Sequence, residues 1–144
     1  MKIAVIDADL LGRRRHRFPN LVCEKISGYY KQVVKLPPEN VVLKTDYEHL
    51  EEFDRVFIAK VFTDTPVPEW LQHVSQPKEL LIRVGRPDAG ALPVEKWLEK
   101  TVGYKINGKI PVNVGGTGFF FDRAPNLPDV IEHCMPDYHL YDNW

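Results

Sequence analysis

Cysteine is scarce in this chain: its 2 cysteines, Cys23 and Cys134, stand far apart in 144 residues. Two such thiols make neither a disulfide framework nor a CxxC pair. An excess of charge of one sign is also lacking, because 19 Lys+Arg face 20 Asp+Glu for a formal net charge of −1. That balance argues against a nucleic-acid coat and against a membrane-surface binder, so neither nucleic acid nor membrane is an expected partner. No apolar run approaches the ~18–20 residues that span a bilayer. Met1-Lys2 leads straight into a strand-like segment, not into the apolar core of a signal peptide. A cytoplasmic protein is the expectation. Internal repeats and low-complexity segments are absent as well.

What is present is an ordinary globular composition, with 44% apolar and 27% charged residues. A domain typically takes roughly 100–200 residues, so the reading is a single domain over residues 1–144. Folding a chain of this size removes about 68% of its surface from water, which supports a core without staples.

Residues 3–6, Ile-Ala-Val-Ile, run into Asp7-Ala8-Asp9, the pattern of a buried strand with carboxylates at its C-terminal edge. Asn20 is an N-cap residue type, and Val22, Ile26, Tyr29 or Tyr30, and Val33 recur at helical spacing, predicting a helix over 21–33. Pro37-Pro38 break the chain. Val41 to Leu43 predict a second strand, and Asp46 to Phe53 a short acidic helix or turn. Arg55 to Phe62 predict a third strand closed by a Thr63-Asp64-Thr65-Pro66 turn. Pro68 to Val74 read as helix, Leu80 to Val84 as strand, and Pro93 to Val102 as helix with Trp97 on one face. Tyr104 to Val114 read as an extended stretch with an Asn107-Gly108 turn. Prolines 125, 128 and 136 mark an irregular C-terminal arm over 119–144.

Strands separated by helical patterns predict an α/β domain with a mostly parallel sheet, three-layered and Rossmann-like or flavodoxin-like. Ligands in such sheets bind at the C-terminal ends of the strands. That rule selects Asp7, Asp9, Thr63, Asp64, Thr65, Gly115, Gly116, Thr117 and Gly118 as candidate ligand-binding positions.

Arg13, Arg14, Arg15 and Arg17 flank His16 directly after the first strand. Guanidinium forks suit phosphate oxygens, so this loop is a candidate phosphate or nucleotide site; the alternative is a solvated loop paired with Asp7, Asp9 and Asp64. Gly115 to Gly118 match neither GxGxxG nor the P-loop, and no clear helix succeeds them, so they read as a tight turn or as a close backbone approach to a ligand. Asp7 and Asp9, two apart on one strand, would share a face and make a Mg²⁺ site imaginable, or would cap backbone groups. Glu132, His133, Cys134, Asp137 and His139 are metal-ligand types, but Pro136 interrupts them and no metal is expected. Cys23 lies in an apolar helix pattern and reads as a buried, inert thiol. No Ser/His/Asp arrangement stands out, and no catalytic residue is assigned.

Residues 2–9 and 15–30 (KIAVIDAD and RHRFPNLVCEKISGYY), 46–70 (DYEHLEEFDRVFIAKVFTDTPVPEW) and 115–144 (GGTGFFFDRAPNLPDVIEHCMPDYHLYDNW) together resemble the N-terminal region of a group of bacterial and phage radical SAM proteins. There, a cobalamin-binding-like α/β domain precedes a catalytic barrel. FPNL, KVFTDT and LPDxIEHxMPDYxLY carry the resemblance in combination.

The resemblance implies an accessory domain, structural or substrate-presenting, whose partner is a radical SAM barrel in cis or on a separate chain. The [4Fe–4S] cluster and S-adenosylmethionine would belong to that downstream barrel, because CxxxCxxC is not in this chain. No catalysis by this chain alone is therefore expected. Cobalamin is not expected either: Asp9 stands where the DxHxxG pattern has its histidine, and Ala59-Lys60-Val61 replace the usual small polar pair. Residues 76–112 form an extra strand, helix and hairpin-like stretch relative to the family. A free-standing phosphate or nucleotide binder built on Arg13 to Arg17 is the alternative, and a metal-dependent hydrolase on Asp7 and Asp9 a third.

Overall fold

The computed structural model describes residues 1–12, 18–72, 93–120 and 126–142. Among the described residues there are five strands: β1 (Ile3–Asp7), β2 (Val41–Leu43), β3 (Arg55–Ala59), β4 (Val102–Ile106) and β5 (Ile110–Gly115). They make one sheet in the order β2-β1-β3-β5-β4. β1 lies parallel to β2 and β3, β3 parallel to β5, and β4 antiparallel to β5 at the edge. The helices are α1 (Ala8–Gly12), α2 (Leu21–Gln32), α3 (Glu69–Gln72), α4 (Val94–Lys100), α5 (Thr117–Phe120) and α6 (Asp129–Glu132).

Strand side chains alternate between faces, and here both faces are buried. Ile3, Val5, Phe57 and Ala59 pack with Ile26 and Tyr30 of α2, Trp97 of α4, and Leu127, Ile131, Leu140 and Tyr141 of the arm. Ala4, Ile6, Val56, Ile58, Val112 and Val114 pack on the opposite side with Leu50, Phe53 and Leu71. The result is the expected three-layer, Rossmann-like α/β fold with a mostly parallel sheet. No helix among the described residues is long and apolar enough to cross a membrane.

Local chemistry explains the element ends. Asn20 caps α2, its side-chain oxygen accepting the Cys23 N–H at 3.1 Å. The β4–β5 hairpin turns at Asn107 (φ 54°) and Gly108 (φ 70°), both left-handed, within the three-residue loop between the paired Ile106 and Ile110. Asn113 of β5 is buried, with its amide donating to the Leu98 carbonyl and Thr101 Oγ1, both at 2.8 Å, while its oxygen accepts from Arg55. One side chain thereby fastens α4 to the sheet.

The third strand is shorter than its apolar run predicts and stops at Ala59. Beyond it the backbone turns so that the Val61 and Phe62 N–H groups meet Asp9. The acidic stretch 46–53 holds a single 3₁₀ turn, Leu50–Glu52. The strand predicted over 80–84 lies outside the described residues. Within 76–112, the described part supplies α4 and the antiparallel edge strand β4. The described part of the arm is irregular apart from short helical turns, yet it is packed. Asp137 N–H donates to the Glu24 carbonyl at 2.8 Å, and Ser27 Oγ and Lys31 Nζ reach Asp137 Oδ2 at 2.7 and 2.5 Å. Gly28 permits this approach, because a Cβ there would collide with the Met135 carbonyl oxygen.

Candidate functional site at the C-terminal sheet edge

The chain leaves β1 directly into α1 at Ala8, so side-chain periodicity changes between Asp7 and Asp9. The expectation that the two carboxylates extend one strand side by side is therefore corrected. Asp7 accepts the Leu10 N–H at 3.2 Å on Oδ1 and the Tyr141 hydroxyl at 2.7 Å on Oδ2. Asp9 accepts the N–H groups of Val61 and Phe62 at 2.7 and 3.3 Å and the Thr65 hydroxyl at 2.6 Å. Both are buried, at 0% and 1% exposure. They act as clamps: Asp7 ties the arm to β1, and Asp9 shapes the loop after β3. A divalent-cation pair is not built by this arrangement.

Tyr141 completes the first clamp by accepting the Asn20 N–H at 3.0 Å. Burial, and after it the neighbouring Cys23 and Asp7, pushes its phenol well above the ordinary value. The Cys23 thiol is likewise driven up, by burial first and then by Asp7, which matches an inert sulfur.

Gly115 to Gly118 close against the same loop. The Lys60 N–H donates to the Gly115 carbonyl at 3.0 Å, the Gly118 N–H to the Lys60 carbonyl at 2.7 Å, and Thr117 Oγ1 to the Val61 carbonyl at 2.7 Å. Gly116 has φ of 96°, and a Cβ on it would strike the Lys60 carbonyl oxygen. The tight-turn reading is thus met. The expectation of no helix after these glycines is corrected, since the one-turn α5 begins at Thr117. The Lys60 ammonium lies 4.8 Å from the centre of the Phe119 ring.

Of the predicted positions, Asp7, Asp9, Thr65, Gly115, Gly116, Thr117 and Gly118 gather at this edge, whereas Thr63 and Asp64 sit on the exposed turn. Arg13, Arg14, Arg15, His16 and Arg17 lie outside the described residues. The metal-ligand types of the arm are dispersed over separate partners: Glu132 on Lys25 at 2.6 Å, Asp137 on Lys31, and His139 on Asp142 at 2.8 Å. Among the described residues no three His, Cys, Asp or Glu side chains group to hold a metal ion.

Two neighbouring hollows complete the edge. One, of about 360 Å³, lies between the β3 and β5 ends and α2, with Cys23, Ile26, Phe57, Trp97, Gly115 and Leu127 in its wall. The other, of about 430 Å³, is walled by Phe18, Leu21, Ala59, Phe62 and Gly116. Val22, Ala59, Val61 and Gly116 belong to both. The residue pattern points to Gly115 to Thr117 but not to the apolar wall. Phe57, Trp97 and Leu127 carry only the signature of core residues, and nothing in their spacing marks a cavity. In comparison with known proteins, no family model, no curated protein and no solved structure matches the chain.

Proposed function

We propose that this chain is an accessory α/β domain, similar to the N-terminal domain of radical SAM proteins, that holds and orients a catalytic barrel instead of reacting itself. One observation carries the reading. The segments on which the resemblance rests are hydrogen-bonded to one another around a single sheet edge. Asp7 and Asn20 meet Tyr141, Asp9 meets Val61 and Thr65, Thr117 meets Val61, and Gly28 accommodates Met135. Within the final segment, Asp137 and Tyr141 are therefore hydrogen-bonded to α2 and β1. A rigid seat of that kind is needed to position an attached domain, since supporting packing sets the precision of a site.

Asp9, at the position where a cobalamin domain has its histidine, is spent on protein donors. Cys23 is buried and Cys134 donates its thiol proton to the Val130 carbonyl at 2.9 Å. The phosphate-binding alternative rests on Arg13 to Arg17, whereas Asp7 and Asp9 accept hydrogen bonds from the protein's own donors.

The sequence of the gene past the Trp144 codon, and of the adjoining reading frames, tests the proposal. A CxxxCxxC-bearing barrel in either place is the expected result. Finding neither there nor on any chain that co-purifies with this one overturns it.

A further inference from the structure

We propose that the hollow between β3, β5, α2 and α4 binds a small, uncharged, flat aromatic molecule. The proposal rests on the cavity alone and holds whether or not a barrel accompanies this domain. The hollow has a volume of about 360 Å³, within the few-hundred-Å³ range of small-molecule sites. It opens at the carboxyl ends of parallel strands, where such sheets take ligands.

The wall selects the ligand class. Phe57 and Trp97 stack with ring centres 5.8 Å apart and planes 12° from parallel, so the wall carries an aromatic pair. Offset or edge packing of a further ring against it is favourable by about 0.5–1.5 kcal/mol beyond area. Two polar side chains of the wall are held by the protein: Asn113 by Leu98, Thr101 and Arg55, and Thr117 by Val61. Among the described residues the walls of the two hollows include Asp9 and Glu132 but no Lys or Arg. The charged side chains described there are carboxylates, and like charge disfavours an anion.

Space and access agree with that selection. A Cβ built on Gly115 meets no atom within 4 Å, so the sheet face at this point borders open volume. The adjoining hollow is flanked by exposed apolar side chains, Phe18 at 79%, Leu21 at 49% and Phe62 at 43%. They provide an apolar approach to the deeper site.

The test is titration of the full chain with phenylnaphthylamine, an uncharged fluorescent dye, with ATP and tripolyphosphate as anionic competitors. Saturable one-to-one binding that neither anion displaces is expected. Gly115→Leu, whose side chain enters the open volume, should weaken it by about tenfold or more without lowering the urea midpoint. Met135→Gln, at an exposed position off the cavity, should leave it unchanged. Absent or non-saturable binding, displacement by either anion, or full affinity in Gly115→Leu overturns the proposal. Should Gly115→Leu fail to fold, amide shifts of the natural chain with the dye decide. Shifts concentrated on Val22, Gly115, Gly116 and Leu127 support the site, and shifts scattered elsewhere overturn it.

Discussion

Tyr141 donates its hydroxyl proton to Asp7 at 2.7 Å, joining positions 134 residues apart. The same oxygen accepts the Asn20 N–H that precedes α2. One phenol thus connects the first strand, the first long helix and the arm. Tyr141→Phe removes both bonds and leaves a buried carboxylate oxygen with one donor fewer. A loss of about 1–3 kcal/mol in urea unfolding is expected, with no change in secondary structure by circular dichroism. An unchanged midpoint would show that the clamp contributes nothing.

Asp9 gathers three donors from the loop after β3. Asp9→Asn keeps the size but loses charge and presents only one oxygen. It should destabilise by about 1–3 kcal/mol, and the Val61 and Phe62 amides should exchange hydrogen faster than those inside β3. Equal exchange in variant and natural chain would place the loop's order elsewhere.

Gly116 has a left-handed backbone and lies against the Lys60 carbonyl. Gly116→Ala therefore meets backbone strain and a collision together. A loss of about 1–3 kcal/mol is expected from the φ constraint alone, with more from the contact. Gly115→Ala, one residue earlier, faces open space and should stay within about 0.5 kcal/mol. Similar losses for both would remove the basis for separating the two glycines.

Acid should loosen the arm through Asp137. Burial opposes ionisation of this carboxyl, but the Lys31 ammonium and Ser27 hydroxyl outweigh it and hold its pKa below the ordinary value. The folded pKa is thus lower than the unfolded one, about 3.9 for aspartate. The stabilisation is complete above that value and is lost as pH falls through the folded pKa. In Asp137→Asn the stability-versus-pH curve should flatten below about pH 4, and it should lie lower than the natural curve at neutral pH. Parallel curves in the two proteins would exclude Asp137 as the acid-sensitive group.

Features set by neighbouring residues are legible in the sequence. Asn20 as a cap, Asn107-Gly108 as a hairpin turn and the β1 and β3 runs all obey local rules, and the parallel sheet derives from their alternation with helices. Contacts closed by the fold are not legible there. Gly28 looks like a weak point in a helix until Met135 lies upon it, and Asn113 looks like a misplaced polar residue until α4 docks. Asp7 and Asp9 mislead because a strand becomes a helix between them, a change that a two-residue period cannot register. The cavity is invisible for a similar reason: Phe57 and Trp97 stack only when β3 and α4 are packed.

The central claim is that the arm is a built part of the domain, seated firmly enough to orient a partner domain. Native-state hydrogen exchange of the Ile131, Asp137 and Leu140 amides, all bonded in the structure, tests it against the amides of β1. Protection approaching that of β1 is predicted in the natural chain, falling in Gly28→Ala while β1 stays protected. Arm amides that already exchange at unprotected rates in the natural chain would contradict the account.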